Sequence, residues 1–191
     1  LGDPIEAPLA GTTWRAPFGA MEISDPPEGG TLLDLLLDED ALLFSVTWAS
    51  ATSFGMVAAL GVDGGQDPCQ EVQELPAADF SDNPLFRIDE TEIVISASDE
   101  PVTLMDAEMM GILSADGGSW TWGVLRASID TRDFQEELEE NGLDACELLE
   151  GFGTSCVPCE DGQELCMNLV VDQMLAEPFE GTFDLDAGSD C

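Results

Sequence analysis

The 191 residues hold 41 Asp and Glu against four basic side chains, all arginine (Arg15, Arg87, Arg126 and Arg132), with no Lys, His or Tyr and a formal net charge of -37. That field repels phosphate backbones and anionic lipid headgroups, which excludes nucleic-acid binding by backbone neutralisation and membrane attachment through a basic face. The missing residue types also exclude Ser-His and Cys-His nucleophiles, Schiff bases and P-loop lysines.

An apolar fraction of 44% is that of a globular chain, and the length suits one domain with a sizeable core. Most carboxylates have no arginine to pair with, so they must be solvated, hydrogen-bonded or neutralised by cations. Their mutual repulsion weakens a fold at low salt, and it shrinks at marine ionic strength, where the Debye length is about 4–5 Å.

In chain order, residues 1–11 read as a tether rich in proline and acid, and residues 12–191 as a single disulfide-stapled, β-rich domain. Leu1 in place of Met, with no basic and apolar leader before it, reads as a mature product after removal of a signal or propeptide, or as a trimmed piece of the chain. Thr12 to Ile23 is extended, broken at Pro17 and closed by Asp25-Pro26-Pro27-Glu28-Gly29-Gly30. Leu32–Leu37 suits a short helix capped by Thr31, or a buried strand. Ala41–Trp48 and Phe54–Val62 are strands, the second ending at Asp63-Gly64-Gly65, and Gln66–Pro84 is a long ordered loop.

Strands follow at Glu92–Ser98 and Val102–Met105. A hairpin then joins Met109–Ser114 to Trp120–Ile129 through Asp116-Gly117-Gly118, and its alternation places Trp120, Trp122 and Val124 on one face. Asp130 or Thr131 caps a helix over Asp133–Glu140 with Phe134 and Leu138 inward, stopped at Asn141-Gly142, and Leu143–Leu149 forms a second. An apolar segment, Met167–Leu175, and a last strand near Thr182–Leu185 complete the chain. The expected fold is mainly β: an antiparallel barrel or sandwich of about eight strands, with two short helices inserted near the C-terminal third.

Cys69, Cys146, Cys156, Cys159, Cys166 and Cys191 are even in number, and four crowd into a short stretch. Disulfides, with short loops inside 146–166 and a long closure using Cys69 or Cys191, imply an oxidising compartment. A zinc site of Cys146, Cys156, Cys159 and Cys166, or a redox pair at Cys156-Val-Pro-Cys159, are the alternatives.

Oxygen chemistry is what the composition leaves. Asp184, Asp186 and Asp190 surround Gly188 in the manner of the start of a calcium loop, without the distant Glu of an EF-hand. Asp79, Asp82 and Asn83, and Asp38, Glu39 and Asp40, are further acidic clusters, and a solvated surface accounts for all three. Calcium is thus the one candidate cofactor. Trp14, Trp48, Trp120, Trp122, Met109 and Met110 can fill a core or line a ligand cavity. No apolar run is long enough to span a membrane as a helix.

The order Gly11-Thr12-Thr13-Trp14, Ala78-Asp79-Phe80-Ser81-Asp82-Asn83-Pro84, Ser114-Ala115-Asp116-Gly117-Gly118, Ile129-Asp130-Thr131-Arg132 and Cys156-Val-Pro-Cys159-Glu-Asp-Gly-Gln-Glu-Leu-Cys166 resembles uncharacterised secreted lipoproteins of myxobacteria and related bacteria. The resemblance implies export and attachment at an outer membrane or cell surface, although position 1 lacks the cysteine that carries the lipid. The functional expectation is a non-catalytic secreted or cell-surface structural or accessory protein. It would act by protein–protein assembly, with other envelope proteins or with itself. A lipocalin-like small-ligand binder, a calcium-binding surface module and a carboxylate-dependent hydrolase are the alternatives.

Overall fold

A computed structural model describes residues 5, 8–27, 41–95, 102–133, 135–140 and 142–188. The Leu32–Leu37 segment lies outside these residues, as do Asp38, Glu39, Asp40, Ser98, Phe134, Asn141, Asp190 and Cys191.

One antiparallel sheet holds β1 (Thr13–Pro17), β2 (Glu22–Asp25), β3 (Ala41–Ala49), β4 (Ser53–Val62), β5 (Gly65–Gln66), β6 (Gln73–Glu74), β7 (Ala78–Asp79), β8 (Leu85–Ile95), β9 (Val102–Leu113), β10 (Trp120–Asp130), β11 (Cys166–Gln173) and β12 (Glu177–Pro178). The expected count of about eight is therefore corrected to 12 among the described residues. The additional strands β5, β6, β7 and β12 are two residues each, too short for any alternation to announce them. There is one curled, half-barrel sheet, where a sandwich would have two packed face to face.

The order is β12-β1-β3-β4-β7-β8-β9-β10-β11-β2, with β5 and β6 on β4. Its two borders come from the same stretches of chain. β1 pairs with β12 and β2 pairs with β11, and the 3₁₀ turn Phe18–Ala20 after Pro17 steps the chain from one pairing to the other.

The concave interior is packed with aromatic rings. The Trp120 ring centroid lies 4.8 Å from that of Phe44, 4.8 Å from that of Phe86 and 5.6 Å from that of Trp14. Phe54 bridges Phe86 and Phe80 at 5.5 and 5.4 Å. Trp14, Phe44, Phe54, Phe86 and Trp120 are all buried, with Met56, Ile88, Met109 and Met174 among them. Each such side chain removed from water contributes about 1.5–3 kcal/mol.

Both ends of the curl are covered. Ile5 and Leu9, in the stretch expected to be a tether, are buried in the same core. The Asn83 side chain accepts from Ile5 N–H at 2.8 Å and donates to its carbonyl at 3.1 Å. At the far end, Leu138 of helix α1 (Gln135–Glu140) and Ala145 and Leu149 of helix α2 (Ala145–Gly151) enter the core. Asp144 caps α2 by accepting from Glu147 N–H.

Several boundaries differ from expectation for local reasons. Val102–Met105 and Met109–Ser114 belong to one strand, β9, interrupted at Asp106, whose φ of 50° marks a shift in register with both neighbours. The described part of the expected strand Glu92–Ser98, residues 92–95, is the end of the longer β8, in which buried Phe86 and Ile88 alternate with exposed Arg87 and Asp89. No strand forms near Thr182–Leu185: Asp184 folds back on itself, its side chain accepting from Asp186 N–H at 3.0 Å. Trp122 does not share a face with Trp120. A bulge between them sets Trp120 opposite buried Leu113 and Trp122 opposite half-buried Ile112.

Two glycines exist to receive rings. Phe86 pairs across the ladder with Gly111, where a β-carbon would lie 2.4 Å from the phenyl ring, and Trp48 lies over its cross-strand partner Gly55 in the same way. Gly111→Ala must therefore displace Phe86 from the central stack. The expected loss is about 1–3 kcal/mol, read from denaturant titration of the oxidised protein. A neutral result would show that the ring has room to move.

Candidate functional site

The proposed calcium ligands stand apart from one another in role. Asp184 and Asp186 are exposed. The Asp184 carboxylate is engaged by Asp186 N–H, and both its backbone groups are held by the Gln66 side chain, which donates to the carbonyl at 2.9 Å and accepts from N–H at 2.7 Å. Gly188 N–H donates to the Pro68 carbonyl at 2.8 Å, so the tail lies docked on the 66–71 loop. Asp190 lies outside the described residues.

The Asp79, Asp82 and Asn83 group is likewise divided. Asp79 accepts from Ser81 N–H at 2.9 Å, Asp82 faces Arg87 at 3.8 Å, and Asn83 clamps Ile5. The Ser81 bonds hold the Asp79 carboxyl below its ordinary range.

Among the described residues, Asp130, Cys159 and Cys166 bring three side chains of metal-ligating type within 4.8 Å of one another. The two sulfurs are bonded to each other, so neither is a thiolate donor.

The cysteines form short loops: Cys146–Cys156 spans 10 residues of sequence separation and Cys159–Cys166 spans 7. Cys69 is also disulfide-bonded. This pairing corrects both alternatives. Four thiolates for zinc are absent among these positions, and Cys156 and Cys159 bond to different partners instead of forming one redox pair. Two disulfides in adjacent short loops fit an oxidising compartment.

Of the candidate cavity side chains, Trp14, Trp120 and Met109 sit in the filled core, Trp122 and Met110 are half-buried, and Trp48 is 47% exposed. Trp14 Nε1 donates to the Gly117 carbonyl at 3.0 Å, tying β1 to the β9–β10 turn.

The strongest charge constellation joins the end of β10 to the cysteine loops. Arg132 Nε donates to Asp130 at 2.8 Å and Nη1 to Asp161 at 2.8 Å. The guanidinium holds the Asp130 carboxyl below its ordinary range, and the Gln163 N–H followed by Arg132 does the same for Asp161. Next to it, Thr91, Glu92, Met105, Asp106 and Glu160 line an open acidic groove of about 390 Å³.

The sequence did not point to Gln66 or Gln73, and it offered Asn83 only as a member of an acidic cluster. Gln66, Gln73 and Asn83 each hold two backbone groups of a distant segment. Their partners are main-chain atoms, which leave no residue-type signal.

No helix among the described residues is long and apolar enough to cross a membrane. Comparison with protein-family models, curated proteins and solved structures finds no match to this chain.

Asp130→Asn removes a carboxylate whose folded pKa is depressed. Its contribution is present above the unfolded value of about 3.9 and is lost as pH falls through the lower folded value. Melting curves should place the variant below the native protein at pH 7, with the gap narrowing as pH falls below the unfolded value. Removing Cys146–Cys156 or Cys159–Cys166 by paired Ala substitutions should cost about 3 and about 2.5 kcal/mol by loop entropy, read from urea midpoints.

Proposed function

We propose that this chain is a non-catalytic structural or accessory module, exported to the cell surface or envelope, that works by assembling with other proteins. The observation that carries the reading is a filled aromatic interior beneath an acidic exterior. Trp14, Phe44, Phe54, Phe86 and Trp120 occupy the space where a barrel would hold a small ligand. What is left to offer a partner is outer surface. The expectation of export and surface attachment, which the motif order in the sequence implies by resemblance, accords with this reading. Calcium enters this reading as a counterion for the docked tail around Asp184 and Asp186, which are exposed.

A charge of -37 makes the assembly depend on ions. Going from about 0.01 M to about 0.5 M NaCl shortens the Debye length from about 30 Å to about 4–5 Å, so the melting temperature should rise across that range. Size-exclusion chromatography of the oxidised chain with envelope extract, with and without calcium, tests the assembly itself. A defined complex is the expected outcome; a monomer that ignores the extract under both conditions overturns the reading.

A further inference from the structure

Among the described residues, the sheet has a place where a strand is missing. β8 is paired with β9 along most of its length, but on its other side the ladder offers, among these residues, only the pairing of Asp79 with Arg87. Beyond that point the neighbouring backbone is β6, which belongs to the β4 side, where it pairs with Val57 and Ala58.

No backbone ladder joins β6 to β8 among the described residues; the side chain of Gln73 does. Its Nε2 donates to the Glu92 carbonyl, and its Oε1 accepts from Val94 N–H at 2.7 Å. These two groups sit two residues apart on one edge of β8, where an adjoining strand would bond them. A primary amide presents the donor and acceptor of a peptide unit, so Gln73 stands in for one residue of a strand. The reach of a glutamine side chain holds β6 farther from β8 than the roughly 4.8 Å of a paired ladder.

The seam is also incompletely filled, with a notch of about 20 Å³ bordered by Ala58, Leu60, Gln73, Ile93 and Val94. Val94 is 40% exposed beside it.

We infer that this seam is a strand-accepting site, at which an extended, cationic segment of a partner protein displaces Gln73 and pairs with the Ile88–Val94 edge of β8. The inference rests on the assembly reading and names its surface and partner chemistry. Charge selects the occupant. Glu71, Glu74, Asp89 and Glu92 are exposed along the seam, so an incoming strand is favoured if it alternates apolar residues, for the notch and Val94, with Lys or Arg for the carboxylates. A second copy of this chain does not supply that segment: it has no Lys, and its two arginines that lie close in sequence, Arg126 and Arg132, are already engaged, Arg126 in β10 between β9 and β11 and Arg132 with Asp130 and Asp161.

The probe is a capped peptide of alternating Val and Lys, about seven residues long to match Ile88–Val94. A control of identical sequence carries N-methyl groups on alternate backbone nitrogens, which keeps charge and side chains but removes one edge of donors. With the full oxidised chain, titration calorimetry should show salt-sensitive binding of the first peptide and at least tenfold weaker binding of the second. Hydrogen exchange of the unmodified chain should gain protection within Ile88–Val94. Gln73→Ala frees the edge and should tighten binding about fivefold, the equivalent of one displaced hydrogen bond of about 1 kcal/mol.

Equal binding of the two peptides, or protection elsewhere than β8, overturns the seam while leaving assembly through another face standing. No binding of either peptide overturns the seam as well. The assembly reading falls separately, on the envelope-extract experiment.

Discussion

A chain with ten acids for every base has to hold its segments together without relying on charge pairs. Several fastenings outside the core reflect that constraint. Gln66, Gln73 and Asn83 join the tail, the β4–β8 seam and the N-terminal stretch to the sheet through paired amide bonds. An amide supplies one acceptor and two donors with no net charge to desolvate, so it adds nothing to the repulsion. Disulfides play the same neutral part around α2. The few arginines are placed at junctions: Arg15 meets Glu177 where β1 pairs with β12, Arg87 meets Asp82 beside β7, and Arg132 ties Asp130 to Asp161.

Cohesion then falls to the interior. A nearly continuous set of rings around Trp120 links β1, β3, β4, β8 and β10. Glycine at 111 leaves the volume that Phe86 fills, so that ring reaches the central stack beside Trp120. The ends are closed by Ile5 and Leu9 on one side and by Leu138, Ala145 and Leu149 on the other.

β3 and β4 were legible as short apolar runs bounded by turn residues, and the Asp116-Gly117-Gly118 hairpin because turn chemistry is local. The bulges at Asp106 and after Trp120 were not, since a phase shift within a strand is decided by the neighbour's packing. The segment from Gln66 to Pro84 reads as loop because it is loop for most of its length. Its three short strands exist only because β4 and β8 present free edges to it. Asp184 and Asp186 drew notice as carboxylates, yet in the fold Asp184 is held chiefly through its main chain.

By itself, the sequence determined the β-rich class, the excluded chemistries and the acidic exterior, because composition sets charge and the absence of a residue type cannot be repaired by folding. The crowding of cysteines also foretold short loops, since nearby sulfurs close at the least entropic cost. Tertiary structure alone decided which sulfur meets which, that the sheet curls around a packed centre, and that a glutamine occupies the place of a strand. Those outcomes depend on backbone groups and volumes brought together from distant positions, and neither is written in the identity of any one residue.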